Sequence, residues 1–157
     1  MEFKSTGVCC FVGHRQIEVS EELIDRLSSL IEDLVLVRNV DTFIFGSKSL
    51  FNSLCYEQVN KIKEKHPHIN RVYARAEYKE ISVDYKNYLL SLYETTYYPS
   101  KAVGKAAYVE RNRDMIDKSE FCVFYYNENN KPINRKSGTK LALDYAIRKK
   151  KKVIVLP

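Results

Sequence analysis

At 157 residues the chain has the length of one domain with a proper core and is too short for two of ordinary size. Hydrophobic residues at 45% and charged residues at 29% match an ordinary folded protein and exclude a disordered or membrane-embedded one. The formal net charge of +6 leans towards an anionic partner.

No apolar run reaches spanning length, and Met1-Glu2-Phe3-Lys4-Ser5 lacks the basic start and apolar core of a signal peptide, so a cytoplasmic location is expected. Cys9, Cys10, Cys55 and Cys122 lie inside apolar segments with no Cys-x-x-Cys pair and no histidine at ligand spacing. They read as reduced core residues, with no metal site, and nothing in the sequence asks for a cofactor. Much of the positive charge sits in Arg148-Lys149-Lys150-Lys151-Lys152. Cations at a helix C-terminus favour the helix dipole and keep a neighbouring strand soluble, so nucleic-acid binding through this run is disfavoured.

In chain order, Val8-Cys9-Cys10-Phe11-Val12 is continuously apolar, as a central parallel strand covered on both faces must be, and it ends in Gly13-His14-Arg15. Ser20 with Glu21 and Glu22 marks a helix start, and Leu23, Leu27, Leu30, Ile31 and Leu34 give one apolar face to a helix over about 20–37. Thr42–Phe45 is a second short strand, ending in Gly46-Ser47-Lys48-Ser49. A helix from Leu50 to about Lys65 stops at His66-Pro67. Ile69–Ala74 is a third strand, Ile81–Glu94 a tyrosine-rich helix and Thr95–Lys101 a loop. Ala106–Ser119 is helical, Phe121–Tyr126 a fourth strand, Asn127–Ser137 a polar loop, and Gly138-Thr139 opens a helix before the last strand, Val153–Leu156. Strands alternating with helices predict an α/β, Rossmann-like three-layer sandwich with a mainly parallel sheet, one domain over 1–157, without repeats or linkers.

Three glycine-bearing connections stand out: Gly13-His14-Arg15, Gly46-Ser47-Lys48-Ser49 and Ser137-Gly138-Thr139. Such turns set amides and hydroxyls at helix N-termini, where free N–H groups and the helix dipole favour phosphate. None is a Walker loop or a complete Gly-x-Gly-x-x-Gly fingerprint, which disfavours a conventional nucleotide triphosphatase or NAD dehydrogenase. Arg111-Asn112-Arg113 offers two guanidiniums for a phosphate or carboxylate, although the same arginines can pair along the helix with Asp114 and Asp117. Adjacent helical residues point in different directions, so all three cannot reach one ligand. Tyr78, Tyr85 and Tyr108 are candidates to stack on a base, against the ordinary role of tyrosine as a core residue with a wet hydroxyl.

Taken together, Cys10-Phe11-Val12-Gly13-His14-Arg15, Gly46, Tyr108 to Asp117 before a buried strand, and Ser137-Gly138-Thr139 leading into Leu143-Asp144-Tyr145-Ala146 resemble the SLOG superfamily over nearly the whole chain. The nearest branch is the small YpsA-like members, with the Lonely Guy phosphoribohydrolases and the DNA-processing protein Smf as better-known relatives. The resemblance implies a nucleotide or nucleotide-derived, phosphate-bearing ligand at the carboxyl edge of the sheet. It assigns Gly13, His14 and Arg15 to the first loop and Gly46, Ser47, Lys48 and Ser49 to the second. Arg111, Asn112 and Arg113 would face the ligand, and Ser137, Gly138 and Thr139 would hold its phosphate. It also implies a homo-oligomer, since relatives commonly form dimers through helices beside the site. The chain departs from the phosphoribohydrolases where Asn134-Arg135-Lys136-Ser137 replaces their proline-glycine-glycine loop and Lys140-Leu141-Ala142 follows Gly138-Thr139 without their catalytic glutamate.

Three functions follow, in order. The first is a sensor or sequestering module that holds its ligand through Arg15, Arg111, Arg113, Thr139 and turn amides. The second is a nucleotide N-glycosidase, for which Asp144, Glu110 and Asp114 are the motif-linked carboxylates. The third is a DNA-associated protein using Lys149 to Lys152, whose binding would weaken steeply with salt.

Overall fold

A computed structural model describes residues 7–99, 104–128 and 137–157. The opening apolar run forms β1 (Val8–Gly13) at the middle of a six-stranded sheet. Alternate residues of β1 feed two separate cores: Cys9 and Phe11 enter one, Val8, Cys10 and Val12 the other. Burial on both faces explains the unbroken hydrophobic sequence.

The chain continues through α1 (Glu21–Leu36), β2 (Thr42–Phe45), α2 (Leu50–Lys65), β3 (Asn70–Ala74), α3 (Val83–Leu92) and β4 (Thr95–Tyr97). It then runs through α4 (Lys105–Lys118), β5 (Phe121–Tyr125), α5 (Gly138–Arg148) and β6 (Lys152–Leu156). The strand order is β4-β3-β2-β1-β5-β6, with every pairing parallel. Helices α1, α2 and α3 pack on one face, and α4 and α5 on the other. The predicted Rossmann-like three-layer α/β sandwich is the observed architecture.

Four helices begin at a serine whose Oγ accepts the amide three residues on: Ser20 from Leu23, Ser49 from Asn52, Ser82 from Tyr85 and Ser137 from Lys140. These caps satisfy one of the amides each helix start leaves unpaired. The four cysteines are free and buried in the two cores. Among the described residues no helix is long and apolar enough to cross a membrane.

One correction concerns Thr95–Lys101, predicted as a loop. Thr95–Tyr97 is an edge strand, pairing Val72 with Thr95 and Ala74 with Tyr97. It is only three residues long and half-buried throughout, so it carries neither a continuous apolar run nor an alternation. Lys101, the first six residues, and all of the predicted 127–137 loop between Glu128 and Ser137, including Asn134–Lys136, lie outside the described residues.

The order places a switch point between β1 and β5. From β1 the chain steps outward through β2, β3 and β4, then crosses back through α4 to start β5 on the other side of β1. Connections leave β1 and β5 in opposite directions, and the crevice beyond their carboxyl ends is where open α/β sheets take ligands.

The basic run sits at the opposite edge, in the turn between α5 and the start of β6. Lys149 lies 3.9 Å from Asp117, Lys152 lies 2.9 Å from Glu120, and Lys151 donates to the Asp117 carbonyl at 3.3 Å. The acids at the end of α4 and the start of β5 thus answer much of this charge locally.

Candidate functional site

Beyond the carboxyl ends of β1 and β2 a cleft of about 530 Å3 opens. Gly13, His14 and Arg15 line it after β1, Gly46, Ser47, Lys48 and Ser49 after β2, Arg111 and Asn112 from α4, and Ser137, Gly138 and Thr139 at the start of α5. Segments far apart in sequence are gathered because they all leave the same edge of one parallel sheet. Arg113 is not among the lining residues. Two residues on from Arg111 it stands on the far side of α4, where its guanidinium lies 5.2 Å from the centre of the Tyr145 ring.

The floor is set by close approach. A Cβ on Gly13 would fall 2.3 Å from the Phe51 ring, so only glycine lets the first turn of α2 reach the end of β1. A Cβ on Gly46 would meet the Met115 sulfur at 2.4 Å and the Arg111 Cδ at 2.7 Å, so the missing side chain is what lets Arg111 pass. Asn52, in the first turn of α2, ties the floor together. Its Oδ1 accepts the Gly46 amide at 3.2 Å, and its Nδ2 donates to the Phe11 carbonyl at 3.4 Å and to Ser49 Oγ at 3.3 Å. The Leu50 amide donates to the Arg15 carbonyl at 2.8 Å, which fixes the first loop on the start of α2.

Arg111 dominates the electrostatics. Only 5% of its surface is exposed, and burial lowers its pKa from the ordinary arginine value. It nonetheless stays charged. Its Nε donates to Asn112 Oδ1 at 3.1 Å, and its guanidinium lies 5.6 Å from the centre of the Tyr108 ring. Among the described residues no carboxylate pairs with it. The pairing predicted with Asp114 is replaced: Asp114 accepts from Tyr97 Oη and from Lys118 Nζ, both at 2.6 Å. Likewise Asp117 accepts from Tyr145 at 2.7 Å rather than pairing with Arg113. The Glu77 carboxylate acts on Arg111 only through space, from beyond ion-pair distance, so a direct anionic contact would suit this guanidinium.

Beside α4, on the same face of the sheet, the start of α5 supplies more donors. Ser137 takes the Lys140 amide on its Oγ at 3.1 Å and the Leu141 amide on its carbonyl at 3.0 Å. The Gly138 and Thr139 amides belong to the unpaired first turn, and no described acceptor meets them. Arg111 and the start of α5 thus both line the cleft with hydrogen-bond donors.

His14 stands at the switch point. Its Nε2 lies 3.0 Å from the Asn127 amide nitrogen and 3.3 Å from the Asn127 carbonyl oxygen, just past β5, so it accepts from the one or donates to the other according to its tautomer. Burial lowers its pKa from the ordinary histidine value, so the ring is neutral. The unfolded chain, with a histidine pKa of about 6.5, therefore takes up this proton before the folded one as pH falls. Above that value the group leaves stability unchanged; below it, stability declines. The loss of melting temperature between about pH 7.5 and about pH 5.5 should accordingly be smaller in His14→Gln, whose carboxamide can donate or accept towards Asn127, than in the parent.

Three cleft residues carry no signal in the sequence. Glu77, beyond β3, is the one carboxylate among the lining residues, with Lys48 Nζ 3.5 Å away and its pKa raised chiefly by that carboxylate. Tyr73 and Ala76 come from the same stretch. An exposed acid in a polar segment is indistinguishable from any other surface residue until the fold places it. Of the tyrosines considered for stacking, Tyr108 lines the cleft, while Tyr85 lines a neighbouring compartment and Tyr78 is exposed at 64%. The carboxylates Asp144, Glu110 and Asp114 do not line the cleft, and Asp144 lies 3.2 Å from Lys140. Among the described residues no three histidine, cysteine or acidic side chains cluster as metal ligands would.

No family model matches the chain, and no curated protein matches it.

Proposed function

We propose that the protein binds a nucleotide or nucleotide-derived, phosphate-bearing ligand at the carboxyl edge of its sheet and acts as a sensor or sequestering module of the SLOG type. The observation that carries this reading is Arg111: a guanidinium 5% exposed, unpaired with any described carboxylate, lining a cleft onto which the unpaired amides of α5 also open. An anion would supply a counter-charge in direct contact and accept from the amides at once. Lys48 adds a positive charge on the β2 side. The cytoplasm is the compartment that suits four free thiols.

Binding without turnover is favoured over N-glycosidic cleavage because the three motif-linked carboxylates lie away from the cleft, and the one that lines it, Glu77, is engaged by Lys48. DNA association has less support, since the lysines of the basic run face Asp117 and Glu120 at the other edge of the sheet.

The test is a panel of mononucleotides, ADP-ribose and cyclic nucleotides read by thermal shift, with the same mixtures analysed by chromatography. A ligand that binds only the folded state raises the melting temperature with concentration. The informative variant is Gly138→Pro. Proline suits the first position of a helix, Ser137 before it is already extended at φ −70° and ψ 161°, and a Cβ at 138 meets nothing within 4 Å. The variant removes one amide donor and leaves the fold intact. Its nucleotide affinity should fall about tenfold, while Arg113→Ala should bind as the parent does. Release of free base would move the N-glycosidase reading to first place. No shift with any member of the panel would overturn nucleotide binding.

A further inference from the structure

Between α2 and α3 lies a second compartment of about 440 Å3, and Ser47, Lys48 and Tyr73 line both it and the cleft, as a common wall. Its other walls are Tyr56, Tyr85, Tyr88, Tyr93 and two leucines, with Asn52, Ser53 and Glu57 as the polar part. Tyr73 stacks on Tyr93 with ring centres 5.1 Å apart, and Tyr85 on Tyr88 at 6.3 Å, with the planes inclined by 24° and 20°. Tyr56 joins them, its hydroxyl already committed to the Leu92 carbonyl at 2.5 Å. Tyr88 is 59% exposed. Its ring is thus largely in water although it stacks on Tyr85 and lines the recess.

We infer that this compartment receives the planar base of the nucleotide whose phosphate occupies the cleft, an inference that rests on the function proposed above. The two volumes differ in chemistry in the way the two ends of a nucleotide do. The cleft offers Arg111, Lys48 and helix amides, which suit phosphate. The neighbouring recess offers tyrosine faces, on which any base can stack. The shared wall is short, formed by the loop after β2 and one strand residue, so a ribose at the junction would pass Ser47 and Lys48. Tyr108, with the Arg111 guanidinium 5.6 Å from its ring centre, is the competing platform inside the cleft. Among the described residues of α3, Leu89 alone is fully buried, so the tyrosines of this helix are not consumed by the core.

The experiment compares AMP, GMP, CMP and UMP with ribose 5-phosphate and inorganic phosphate, titrated into the full chain by calorimetry. Tyrosine fluorescence gives a second readout, since the chain has twelve tyrosines and no tryptophan. Nucleotides should bind more tightly than ribose 5-phosphate and quench the fluorescence, and the phosphates without a base should not quench. Tyr88→Ala and Tyr85→Ala should weaken the nucleotide about 5- to 100-fold and leave ribose 5-phosphate unchanged. Tyr88 is exposed, so its variant reports even where Tyr85→Ala fails to fold. The inference is overturned by nucleotides binding no tighter than ribose 5-phosphate, by Tyr88→Ala leaving nucleotide affinity unchanged, or by Tyr108→Ala alone abolishing the base-dependent part. In those cases Arg111-dependent nucleotide or phosphate binding still stands; absence of any nucleotide binding removes both readings together.

Discussion

Replacing Gly13 with alanine should destabilise the protein by about 3 kcal/mol, the upper end of what overpacking a filled core costs. The added methyl would lie 2.3 Å, 2.6 Å and 2.8 Å from Cδ2, Cγ and Cβ of Phe51. Those atoms are close to the backbone of α2 and cannot swing aside as the tip of a long chain can. Phe51 is fully buried, with its ring 6.4 Å from Phe11 and 5.7 Å from Tyr125. The strain must therefore move the start of α2, and with it the Ser47–Ser49 side of the cleft. Denaturant titration of Gly13→Ala, Phe51→Ala and the double variant checks the cause, since alanine at 51 lacks the Cγ and Cδ2 that the methyl meets. The double variant should be more stable than the sum of the single losses allows, because the smaller side chain gives the methyl room. Additivity within about 0.5 kcal/mol would show that Phe51 is not what confines Gly13.

Arg111→Met should move stability and binding in opposite directions. In the free protein the guanidinium is desolvated, with Asn112 and Tyr108 as its described partners. Exchanging a buried charge for an apolar chain of similar length is often neutral or stabilising, by on the order of 1 kcal/mol here, which for a domain of this size raises the melting temperature by about 2–4 °C. Ligand affinity should fall by about 30-fold or more, the cost of removing one member of a buried charge-assisted pair. Thermal melts with and without nucleotide give both numbers on one sample. A variant less stable than the parent and equally able to bind would sink the assignment, since Arg111 would then be a structural residue.

Much of this fold is legible in the sequence, and the reason is burial on both faces. Strands β1, β2 and β5 are covered by helices on each side and carry continuous apolar runs. Edge strand β4 is half-buried and short, and its three residues read as a loop. At the site, the glycine-bearing turns could be placed on one edge because every strand runs the same way. The arginine pair could not be resolved from sequence, since either residue could have faced the ligand. The register of α4 decides it, turning Arg111 inward under Gly46 and Arg113 outward to Tyr145. Asn52 and Glu77 were invisible for a different reason. The role of each depends on partners distant in the chain: the Phe11 carbonyl and Gly46 amide for one, Lys48 for the other.

The carboxamide of Asn52 serves the end of β1, the end of β2 and the cap of α2 at once. No one of those three segments can be altered by substitution without disturbing the other two. Retuning of ligand choice, by evolution or in a mutant library, is therefore confined to side chains that hang on this frame without holding it: Lys48, Glu77 and Tyr108. Variants at those three positions should keep the parent stability while their ligand preferences diverge, whereas variants at Gly13, Gly46 and Asn52 should lose stability whatever they do to binding.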